Sequence, residues 1–151
     1  MGRVWIYIIG KELNENELQQ LQQAGVDFVK GWTAHEQKLS GSFEIFAKRI
    51  IVVKVDEEVY GASGCSIDKL TRFIKEMENR FSVELMNRLL VAVKENGVSV
   101  YPSSKIKDLL AEGKISENTI VYNTSASNSE ELAQWEKPLK ETWLKKFLVK
   151  V

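Results

Sequence analysis

The sequence is poor in the residues from which dedicated chemical sites are most often built. A lone cysteine, Cys65, excludes an internal disulfide, and a lone histidine, His35, excludes a His-rich or Cys-rich metal cage. Two prolines and nine glycines in 151 residues exclude the collagenous and disordered classes. Neither sign of charge is in excess. The 21 basic residues balance 21 acidic ones, and division after Lys75 leaves ten against ten, then eleven against eleven. A domain-wide nucleic-acid footprint needs a surplus of Lys and Arg, so none is expected. Long apolar runs are missing as well. The longest, Val4 to Ile9, is too short for a signal-peptide core or a membrane span. These absences, with 44% apolar residues and a length that buries a real core, describe one globular cytoplasmic domain over residues 1–151. No metal and no organic cofactor is expected.

What is present alternates between strand and helix signals. Val4 to Ile9, β-branched and aromatic, reads as a strand buried on both faces. Asn14 and Glu17 form a capping box for a helix that carries Leu18, Leu21 and Ala24, with Gly25 as its stop. The alternation from Val26 to Trp32 reads as a strand. Phe43–Phe46 and Ile50–Val55 form a hairpin about Lys48 and Arg49. Ile67, Leu70, Phe73, Ile74, Met77 and Phe81 fall at helical spacing, with Asp68, Lys69, Arg72, Lys75, Glu76 and Glu78 on the solvent side. Leu89–Val93 and Val98–Tyr101 pair about Asn96-Gly97. A short helix with Ile106, a strand over Thr119–Tyr122, and a polar loop over Asn123–Ser129, expected to be mobile, follow. Asn128 starts a further helix, and Pro138 starts a basic amphipathic one with Trp143, Phe147 and Leu148. Hairpins interleaved with helices predict an α+β fold with a largely antiparallel sheet. The order in the first half matches the split βαβ of ferredoxin-like sandwiches.

The segment from Asp56 to Asp68 carries most of the chemistry. It joins a strand to a helix through small residues and sets Cys65 at the helix start, where the helix dipole favours a thiolate. In a thiol-based site Cys65 is the nucleophile or redox group, His35 its base and Asp56 the orienting carboxylate. The same amides instead suit a small anionic ligand, with Ser63, Gly64, Ser66 and Asp68 around it. In the third alternative Cys65 is packed under the helix while Ser63 and Ser66 serve as caps. Trp32 is either a stacking surface beside His35 or a lid on the core. The favoured expectation is a binding or adaptor protein for an unidentified protein or small anion, with its site near Trp32, His35 and the Ser63–Ser66 loop.

Several segments resemble a family of small uncharacterised bacterial proteins, some labelled "ABC transporter ATPase". The matching pieces are Trp32-Thr33-Ala34-His35, Ser42–Ile45, Val55-Asp56-Glu57, Ala62–Asp68, Gly113-Lys114-Ile115, Thr119–Asn123, Trp135, Trp143 and Phe147-Leu148. That pattern sets a His after the last Trp, where Leu144 stands here. The label does not extend to this chain. Leu39-Ser40-Gly41-Ser42-Phe43 begins like the Leu-Ser-Gly-Gly-Gln motif of those ATPases and departs at its last two positions. No Walker A loop exists, because Gly10-Lys11 is followed by Glu12 and Gly113-Lys114 by Ile115. Residues 88–136 also resemble GYF-type peptide-binding modules, although the Gly-Tyr-Phe core is absent. That resemblance implies docking of proline-rich peptides on Tyr101, Tyr122 and Trp135.

Overall fold

The structure is a computed structural model that describes residues 2–34, 36–56 and 62–148. Strand β1 (Gly2–Ile8) leads into helix α1 (Glu15–Lys30), which Asn14 and Glu17 start with the expected reciprocal capping box. A two-residue ribbon, β2 (Thr33–Ala34) with β3 (Gln37–Lys38), precedes the long hairpin of β4 (Ser40–Phe46) and β5 (Ile50–Asp56). Helix α2 (Gly64–Phe81) follows. The second half holds β6 (Leu90–Lys94), β7 (Val98–Pro102), the short α3 (Ile106–Ala111), β8 (Ile120–Tyr122), α4 (Ser129–Ala133) and β9 (Glu136–Pro138). Two 3-10 helices, Leu139–Glu141 and Trp143–Phe147, complete it. The fold is α+β and its sheets are antiparallel.

The first sheet runs β1-β5-β4, so β5 lies between the strands that α1 connects, which is the split βαβ arrangement. The second runs β7-β6-β8-β9. One face of the first sheet, with Tyr7, Ile51 and Val53, packs on α1 and α2 through Leu21, Leu70, Phe73 and Ile74. Its other face, with Val4, Ile6, Ile50 and Val52, packs on Ala92 and Tyr122 of the second sheet and on Trp135 just before β9. Ile106, Ile115, Leu139 and Leu144 cover the far face of that sheet. The layers are therefore helix, sheet, sheet and a thin outer cover, and the two sheets share a core. Burial pushes the Tyr7 hydroxyl up to about 12, against a smaller opposing pull from Arg88.

The edge of β1 that β5 leaves open is occupied by the second half of the chain. Val4 N–H donates to the Ser127 carbonyl at 3.0 Å, Arg88 donates to Ile6 O at 2.8 Å, and Gly10 N–H donates to Glu84 O at 2.8 Å. An exposed strand edge invites mispairing, and these bonds cap it. The polar segment expected to be a mobile loop is thus anchored: Ala126 is buried and Arg3 bridges to Asn128.

Other expectations need correction. Gly25 does not end α1; it lies buried inside the helix against the Phe43 ring, and the helix continues to Lys30. Val26 to Lys30 is therefore helix rather than strand. Pro138 closes β9 in an extended conformation, and the residues after it make two 3-10 turns instead of an amphipathic α-helix. Among the described residues no helix is long and apolar enough to cross a membrane.

Candidate functional site

The structure brings Trp32 and the start of α2 together. The Trp32 indole N–H donates to the Ser66 carbonyl at 2.8 Å, a buried bond between the end of α1 and the first turn of α2. Trp32 is only 1% exposed, set edge-on against Trp5 and tilted on Phe28. It supports the site from beneath and offers no free face for stacking.

The small-residue loop is committed to capping. The Ser63 hydroxyl accepts from Ser66 N–H at 3.2 Å, and the Ser66 hydroxyl accepts from Ser63 N–H at 2.7 Å while donating to Ser63 O at 2.8 Å. Ser66 is fully buried. Neither hydroxyl is therefore free for a ligand. Gly64, Cys65 and Asp68 lie exposed on the outer surface, so Cys65 is not packed under the helix. Asp56 is exposed at the end of β5, in register with Gly2 and Ser40. His35 lies outside the described residues, as do Glu57 and Glu58. Among the described residues no group hydrogen-bonds the Cys65 thiol.

What the geometry assembles is a groove one helical turn further along. Phe28, Gly31 and Trp32 of the α1 end face Lys69, Arg72, Phe73 and Glu76 of α2 across a space of about 380 Å³. Phe28 stacks on Phe73 with centroids 4.5 Å apart and the planes within 15°, which gives the groove an aromatic floor. Phe73 in turn meets Phe43 edge-on, so the floor continues into the core. Lys69 and Arg72, three residues apart, share one face of α2 at its rim. Lys69 donates to the Thr33 hydroxyl at 3.2 Å. Among the described residues no carboxylate lies within ion-pair distance of Lys69 or Arg72.

No family model, curated protein or solved structure matches this chain.

Sequence reading set Lys69, Arg72 and Glu76 on the solvent side of α2 and stopped there. The missed signal is that Cys65, Lys69, Arg72 and Glu76 recur at helical spacing beside the apolar stripe, which is where a neighbouring helix makes a groove. Of the aromatic residues nominated for peptide docking, Tyr122 and Trp135 meet at 4.8 Å, and Phe46 joins both at 5.4 and 5.1 Å. Tyr101 lies on the opposite face of the second sheet, among Ile106 and Leu109, with its hydroxyl donating to Glu95 at 2.8 Å. The three nominated residues do not form one surface.

Proposed function

We propose that the protein is a binding module whose ligand joins an anionic group to a flat apolar body, seated in the groove between the end of α1 and the middle of α2. One observation carries this reading: two cations that have no carboxylate within ion-pair distance among the described residues line one groove with the stacked Phe28–Phe73 pair. A phosphate or carboxylate would take charge-assisted hydrogen bonds from Arg72 and Lys69, while its apolar body covers Phe28. The volume is at the lower end of small-molecule sites, which run from about 300 to 1,000 Å³. The site borders the Ser63–Ser66 turn without using its hydroxyls.

The test is an NMR titration with phenyl phosphate, inorganic phosphate and benzyl alcohol. Phenyl phosphate is expected to shift the Trp32 indole N–H and the Gly31 and Arg72 amides with a Kd near 1 mM, equivalent to about −4 kcal/mol. Lys69→Glu with Arg72→Glu should weaken it at least ~10-fold, since the lost charge-assisted bonds exceed about 1.4 kcal/mol. An equal response to benzyl alcohol, or a response that survives both substitutions, overturns the reading.

A second reading is supported by the Phe46–Tyr122–Trp135 cluster, in which Phe46 is 39% exposed. A proline-rich peptide laid on these rings is the mode that the GYF-like resemblance implies, with Phe46 in the position expected of Tyr101. Titration with a proline-rich decapeptide should change tryptophan emission in the native chain and leave Trp135→Phe unchanged. Identical curves for the two proteins count against it.

A further inference from the structure

The second sheet pairs least between its two middle strands. Strands β6 and β7 pair at five positions from Leu90↔Pro102 to Lys94↔Val98, and β8 and β9 at three, but β6 and β8 meet only at Val93↔Val121. The cause lies in the next turn. At Asn123 the chain bends, with Ser125 N–H donating to its Oδ1 and Ala126 N–H to its carbonyl, and the following residues are drawn off to the edge of β1. The resulting cleft of about 320 Å³ is walled by Leu90 and Val91 on one side and Tyr122–Ser125 on the other. Lys137, Glu141 and Trp143 complete it. Its third wall is held in place: Thr142 donates its hydroxyl to Leu139 O at 2.7 Å and accepts from Leu144 N–H, and both leucines are buried.

We propose that this cleft binds a neutral polyhydroxylated ring of the saccharide class, stacked on Trp143. Lys137 and Glu141 lie in one small cleft, and among the described residues neither has an ion-pair partner. A simple anion satisfies Lys137 and is repelled by Glu141, and a simple cation does the reverse. A hydroxyl both donates and accepts, so vicinal hydroxyls serve Glu141, Lys137 and the Asn123 amide together. The axial C–H face of such a ring is apolar and weakly positive, which suits the negative face of an indole. Trp143 is 49% exposed, and the Lys146 ammonium lies over one face of its ring, 5.2 Å from the centroid. The site is separate from the α1–α2 groove and does not depend on it.

The experiment titrates the full chain with glucose, N-acetylglucosamine and cellobiose, with glycine and inorganic phosphate beside them, and follows backbone and indole N–H signals. At least one sugar is expected to shift the Asn123–Ser125 amides and the Trp143 indole with a millimolar Kd. Trp143→Ala and Glu141→Ala should each weaken it 10-fold or more. Both side chains are exposed, and an unchanged spectrum elsewhere will show that the variants fold. Flat sugar titrations, shifts that persist in Trp143→Ala, or tighter binding of glycine or phosphate than of any sugar each overturn the proposal.

Discussion

Trp32→Ala is expected to lower unfolding free energy by about 3–5 kcal/mol, the range for truncating a buried large aromatic residue. The indole fills the space between Trp5 and Phe28, and its N–H is held by the Ser66 carbonyl. Trp32→Phe separates the two contributions. It keeps most of the apolar body and removes the donor, so it should cost about 1–3 kcal/mol, partly lost packing and partly a hydrogen bond inside the core. Urea unfolding decides the matter: the midpoint falls in the order wild type, Phe, Ala, with the slope unchanged. A Trp32→Ala midpoint equal to that of the wild type would mean that the indole does not hold α2 against α1. The groove would then lose its support, because Phe28 packs on both Trp32 and Phe73.

The second large effect is at a glycine. A Cβ at Gly25 would lie 2.2–2.4 Å from three atoms of the Phe43 ring, and Phe43 is itself buried on the central stretch of β4. In an exposed helix Gly→Ala gains about 1 kcal/mol. Here the overpacking costs about 1–3 kcal/mol or more and reverses the sign. Gly25→Ala should therefore destabilise, and should do so less in a Phe43→Leu background, where the ring is gone. Gly64 supplies the contrast: nothing lies within 4 Å of a Cβ there, so Gly64→Ala is expected to be neutral or slightly stabilising. A Gly25→Ala protein more stable than the wild type would contradict the close approach of α1 to β4.

These two residues also show where sequence reasoning succeeds and stops. The capping box at Asn14, the hairpin about Asn96-Gly97 and the apolar stripe of α2 are local signals, and each element forms where its residues predict. Gly25 follows a helical run and so imitates a C-terminal stop, but it is small because a ring from another strand sits on it. Val29 and Trp32 continue the spacing of Leu21 and Gly25, and that helical period prevails over the two-residue alternation from Val26. Pro138 imitates a helix start for a similar reason: its fixed φ suits both a first helical turn and an extended strand end, and pairing with Ile120 selects the strand. At the site, the sequence marked Trp32 and the Ser63–Ser66 turn, and the two are in fact bonded. It could not reveal that the serines satisfy each other, nor that Phe28 would line one groove with Lys69 and Arg72, because those facts depend on how two helices meet.

The bond from Val4 to Ser127 has a consequence for synthesis. Strand β1 leaves the ribosome before the residues that cover one of its edges, which stays open until Glu84, Arg88 and finally Ser127 have followed. Through that interval the nascent chain carries an open, apolar strand edge, the form in which partly made sheets associate wrongly. Truncation before Ser127 would fix that vulnerable interval permanently, with α1, α2 and the hairpin all present and the sheet still unsealed.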